Sequence, residues 1–115
     1  MRSLFLLGAV LLVAGCSTPS SLMREAPVIS ATSDKAPKAY ALCVFPYWQD
    51  HRSTASMNET VDGYRLVIGA EANGQTDEVL DIKSAGSGSE VKLYQRVAWS
   101  QAFRKDIQAS VNRCL

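Results

Sequence analysis

The chain reads as an α+β fold: an antiparallel four-stranded meander (three to four strands) with N- and C-terminal helices packed on one face, in the order α-β-β-β-β-α. Three observations predict it. Apolar residues recur at helical spacing around residues 40–47 and again over 99–114. Between those stripes the apolar period is two, which is the signature of half-buried strands. The strand candidates are separated by short glycine-containing turns, which join neighbouring strands antiparallel. The same residues also allow a small, mostly β barrel in which the first helix is a turn or two.

The first helix can be capped by Ser33 or Asp34, and Pro37 suits its first turn, where a missing N–H costs nothing. Tyr40, Cys43, Val44 and Tyr47 then share one face. Pro46 removes the hydrogen bond to the Leu42 carbonyl and predicts a kink or an end near Phe45. In the strand region, Tyr64, Leu66 and Ile68 alternate with Arg65, Val67 and Gly69. Leu80 and Ile82 alternate with Asp81 and Lys83, and Val91, Leu93 and Val97 with Lys92, Tyr94 and Arg96. Asp62-Gly63 signals a tight turn, so the weaker run from Thr54 to Val61 is a candidate fourth strand paired with 64–70. Asn73-Gly74 and Gly86-Ser87-Gly88-Ser89 mark the remaining turns. In the last helix Trp99, Phe103, Ile107, Val111 and Cys114 form an amphipathic stripe, with Ser100 as a candidate cap.

The N-terminus has a different character. Arg2 precedes an apolar stretch from Leu4 to Val13, too short for a membrane span of about 20 residues but suited to the core of a secretory signal. Small residues, Ala14 and Gly15, lead to Cys16, which predicts cleavage just before it. Val13-Ala14-Gly15-Cys16 behind a leucine run resembles the lipobox of bacterial lipoproteins. That resemblance covers only the first sixteen or so residues. It implies a diacylglyceryl group on the Cys16 sulfur, removal of residues 1–15, acylation of the new amino terminus, and an anchor of two or more chains, which holds stably. Ser17 stands where an aspartate would favour retention in the inner membrane, so the resemblance implies the outer membrane, with the domain facing the periplasm. Beyond the lipobox, the mature domain resembles small uncharacterised envelope lipoproteins of Gram-negative bacteria.

Residues 16–33 are rich in Ser, Thr and Pro and predict a flexible tether; residues 34–115 form one small globular domain. With Cys16 given to lipid, Cys43 and Cys114 remain, and export to an oxidising compartment pairs them. The closed loop, residues 43 to 114 inclusive, is 72 residues long. Chain entropy then contributes roughly 4 kcal/mol.

Charge excludes one class of function. The chain holds 12 basic and 11 acidic residues, and loss of Arg2 with the signal leaves the mature chain formally neutral. Nothing in that balance points to nucleic acid. His51 is the only histidine, in Trp48-Gln49-Asp50-His51-Arg52, and reads as a surface loop residue. No second nitrogen or thiolate stands at metal spacing from it. Ser87 and Ser89 lack the strand–G-x-S-x-G–helix context of a nucleophile elbow and read as turn residues. Asp77, Glu78 and Asp81 form a short acidic group better explained as a solvated strand edge than as a cation loop. Among Tyr47, Trp48, Tyr64, Tyr94 and Trp99, Trp48 is the aromatic to expect at the surface, since it follows Pro46 and adjoins charged residues.

No catalytic, cofactor or metal residue emerges, and the chain reads as a non-enzyme. The function class expected is a lipid-anchored envelope lipoprotein acting structurally or as an accessory through contacts with an envelope or periplasmic protein. A periplasmic inhibitor or immunity-type binder of a hydrolase is the alternative. An enzyme centred on His51 would need Asp50 and a serine or second carboxylate to converge with it.

Overall fold

The computed structural model describes residues 18–69, 74–96 and 104–115 of the 115-residue chain. Among the described residues eight elements follow one another: α1 (Pro19–Leu22), β1 (Ile29–Ser33), α2 (Pro37–His51), β2 (Ser56–Thr60), β3 (Gly63–Gly69), β4 (Thr76–Ala85), β5 (Gly88–Gln95) and α3 (Lys105–Cys114). The fold is α+β, and its sheet is antiparallel with order β1-β5-β4-β3-β2. The meander from β2 to β5 follows the sequence pattern, including the weaker strand, which pairs Ser56 with Val67 and Thr60 with Gly63.

The sheet has five strands rather than four, and the extra one comes from the stretch expected to be a tether. Ile29–Ser33 pairs with β5, Ile29 opposite Leu93 and Ser33 opposite Ser89. An edge strand needs a partner on only one side. Its single large apolar residue, Ile29, packs on the core while Ser30 and Thr32 are exposed. So short an alternation is a weak signal against a background of Ser, Thr and Pro. Upstream, Thr18 caps α1 reciprocally: its Oγ1 accepts from the Ser21 N–H at 3.1 Å, and the Ser21 hydroxyl oxygen accepts from the Thr18 N–H at 2.8 Å.

Helices α2 and α3 cover one face, as their stripes predicted. Tyr40, Ala41, Val44 and Trp48 meet Leu66, Ile68, Leu80, Ile82, Val91, Leu93, Ile107 and Val111 in one core. The stripe on α2 is rotated from the expected one: Tyr47 is half-buried and Cys43 exposed, while Ala41 and Trp48 are buried. The cause is that α2 does not stop near Phe45 but runs through Pro46 to His51. Pro46 lies on the exposed side, where its ring interferes with no packing, and an unbroken helix carries Trp48 onto the face of Tyr40 and Val44. The N-cap is Ala36, with no side-chain cap bond, so neither Ser33 nor Asp34 serves there. Trp99, Phe103, Ser100 and Val97 lie outside the described residues.

The opposite sheet face has a small core of its own. Leu22, 2 % exposed, packs with Val79 and Tyr94, and Met23 and Val67 border them. The short α1 therefore presses on this face, and a strand face that reads as solvated in the sequence is partly covered.

A disulfide joins Cys43 to Cys114, with Cα atoms 5.9 Å apart, and ties the two long helices together. Two buried hydrogen bonds do the same: Tyr40 Oη donates to the Val111 carbonyl and Trp48 Nε1 to the Ser110 hydroxyl, both at 2.8 Å. Among the described residues two glycines are required by close approach, since a Cβ on Gly63 would lie 1.8 Å from the Ile82 carbonyl oxygen and one on Gly88 2.1 Å from the Ser33 carbonyl oxygen.

Candidate functional site

Where α2 ends beside the start of α3, an unbroken α2 places Tyr47, His51 and Arg52 along the seam with Asp106 and Arg113 of α3. Tyr47 donates to Asp106 Oδ2 at 2.9 Å, and Arg52 Nη2 donates to Asp106 Oδ1 at 2.9 Å. Burial alone would push the Asp106 carboxyl up, but the bonds from Arg52 and Tyr47, with the Arg52 charge, hold it below the usual range. The bond to Asp106, then desolvation, raises the Tyr47 hydroxyl. The His51 ring stacks on the Tyr47 ring, centroids 3.9 Å apart, and its Nδ1 lies 2.8 Å from the Tyr47 carbonyl oxygen. The Arg113 guanidinium sits 5.1 Å from the Tyr47 ring centre, a cation–π distance.

Chemically, this is an ordered, partly exposed assembly of one phenol, one imidazole and two guanidiniums around one carboxylate. The hydroxyl donates to a carboxylate whose proton affinity is lowered, and the bond orients the phenol. His51 belongs to the last turn of α2, not to a loop, and it is exposed as expected. Trp48, expected at the surface, is buried instead.

The acidic group is divided by the pleat. β4 is the middle strand, not an edge. Asp77 and Asp81 point to the α1 face, where Asp77 Oδ1 accepts from Arg96 Nε at 2.9 Å and Asp81 Oδ1 accepts from Arg65 Nη2 at 3.3 Å. Glu78 points the other way, beneath the start of α3, and is fully buried. There it forms an ion pair with Arg104 Nε and accepts from Gln95 Nε2 at 2.8 Å. Gln95 Oε1 accepts in turn from Gln108 Nε2 at 2.7 Å. Desolvation pushes the Glu78 carboxyl up to about 7, against the lowering effect of the Gln95 bond and the Arg104 charge. The three carboxylates thus share no cation site.

Ser87 occupies an exposed turn, but Ser89 is a buried strand residue whose hydroxyl donates to the Lys35 carbonyl at 2.7 Å. It fastens the link between β1 and α2. The sequence pattern placed Arg104 and Gln108 only on the polar side of the last helix and did not mark Gln95, so it joined none of them to Glu78. A signal for Glu78 was present: with period two it shares a face with Leu80 and Ile82. Cys16 lies outside the described residues. No described helix is long and apolar enough to cross a membrane.

Compared with protein-family models, with curated proteins and with solved structures, the chain matches none.

Proposed function

We propose that this chain is a lipid-anchored protein of the bacterial cell envelope, held by Cys16 in the outer membrane, whose periplasmic domain acts through protein contacts and not by catalysis. The observation that carries the reading is the partly exposed α2–α3 seam, with His51 and Arg113 exposed and Tyr47 and Arg52 half-buried. Tyrosine and arginine are enriched at interface anchors, and here Tyr47, Arg52 and Arg113 are held in place by hydrogen bonds, stacking and a nearby disulfide. Such preorganisation reduces the side-chain entropy lost on binding. The lipobox resemblance supports the anchor, and the Cys43–Cys114 bond fits an oxidising compartment.

The test is cross-linked capture of the mature protein from its native envelope, with intact-mass measurement of the same sample. The expected result is a chain beginning at an acylated Cys16 that recovers one envelope protein in stoichiometric amount, with recovery lost in the Tyr47→Ala, Arg113→Ala double variant. An unmodified Cys16 removes the anchor. Recovery unchanged in the double variant removes the seam as the contact surface. A secreted hydrolase as the partner assigns the protein to the inhibitor class.

A further inference from the structure

The chain between Cys16 and the folded domain is shorter than its composition suggests. Thr18 is already the cap of α1, and Leu22 is buried against Val79 and Tyr94. From Cys16 to Thr18 there are two Cα–Cα steps, which span at most about 7 Å. An anchor on Cys16 is therefore attached to one particular sheet face, the one opposite α2 and α3.

That face is unevenly charged by depth. Its Asp81 and Asp77 side chains are sunk, 5 % and 17 % exposed, and each is paired with arginine. The cations lie further out: Lys83 is 52 % exposed and Lys92 39 %. Arg65 and Arg96 lie beside them, partly exposed. Glu90 is the exposed acid among the described strand residues of this face, and it pairs with Lys92 at 3.2 Å. Outward cations over recessed carboxylates present positive potential to an approaching surface, which suits lipid phosphates.

We propose that the sheet face carrying α1 lies against the bilayer that holds the Cys16 acyl chains, with Lys83 and Lys92 meeting lipid phosphates and the α2–α3 seam turned away from the membrane. This rests on lipidation of Cys16. It assigns orientation: the anchor faces down and the Tyr47–Arg113 seam is presented to partners.

The test uses the acylated mature chain in vesicles of phosphatidylglycerol and phosphatidylethanolamine doped with a nickel-chelating lipid. A nitroxide is placed through Thr32→Cys, on the α1 face, or through Gln49→Cys, on exposed α2. Relaxation by headgroup nickel should be several-fold stronger at position 32. A flexible glycine-serine spacer inserted between Ser17 and Thr18 should abolish the difference, and Lys83→Gln with Lys92→Gln should reduce it. Equal relaxation at the two positions, or stronger relaxation at 49, overturns the orientation and frees this face for a protein partner. A difference unmoved by the lysine variants overturns the phosphate contact. Intact mass of the same sample separates the causes of failure. An unmodified Cys16 means the anchor failed, whereas an acylated Cys16 with equal relaxation means the orientation failed alone.

Discussion

At the scale of single residues, two positions carry costs that only the folded chain imposes. Gly63 opens β3 directly against the β4 backbone, and any Cβ there must displace the Ile82 carbonyl. Gly63→Ala should cost about 2–3 kcal/mol, at the upper end of overpacking, read as a lower urea midpoint with unchanged slope. Glu78 is the second. Its folded carboxyl titrates near 7, above the ordinary value of 4.5, so between those values the folded state binds the proton that the unfolded state has released. This group's contribution is therefore fully present below pH 4.5 and is lost as pH rises through 7. The stability difference it makes between pH 4.5 and 8 should vanish in Glu78→Gln, measured by urea unfolding at both pH values. Arg104→Met should cost about 3 kcal/mol at pH 8, because it leaves a buried carboxylate without its cation, and visibly less at pH 5, where Glu78 can protonate.

Elements show how local rules yield to packing. Proline inside a helix costs about 3 kcal/mol relative to alanine, yet α2 continues past Pro46 because the helix beyond it buries Trp48 fully and holds it to Ser110. Pro46→Ala should then stabilise the protein by about 2 kcal/mol, the helix gain less the chain entropy that proline removes from the unfolded state. A thermal midpoint that fell instead would show that the ring itself shapes α2. β1 illustrates the converse. Five residues with one large apolar side chain are a poor strand alone, but β5 offers a ready row of partners, and α1 holds the chain close by burying Leu22.

For the whole molecule, the covalent link and the sheet's two faces matter most. The disulfide joins residues 71 apart, and its removal by Cys43→Ala, Cys114→Ala should cost roughly 4 kcal/mol on the entropic account. Calorimetry of the oxidised chain and the double variant measures it, and a loss below about 1 kcal/mol would mean that Tyr40, Trp48 and the core suffice to hold α3. Cys43 is exposed, so mild reductant should reach the bond without prior unfolding. In reduced protein the α2–α3 seam, and with it the geometry around Tyr47, should loosen before the sheet does, seen as earlier amide exchange in α3 than in β4.

Periodicity and turn signals predicted the α+β class, the meander from β2 to β5 and the amphipathic α3, and the lipobox resemblance implied the pairing of Cys43 with Cys114. The first three follow from interactions near in sequence, whereas the pairing was implied only because the resemblance assigns Cys16 to lipid. The tertiary structure decided the rest. It drew β1 out of a polar segment, because an edge strand is made by its neighbour's backbone and needs little apolar pattern. It carried Trp48 inward, because a helix face is set by what it packs on and not by the nearest proline. It separated Asp77 and Asp81 from Glu78, because the pleat sends adjacent residues of one strand to opposite faces. The Tyr47–Asp106–Arg113 seam joins residues that are far apart in sequence, and no spacing rule within either helix could bring them together.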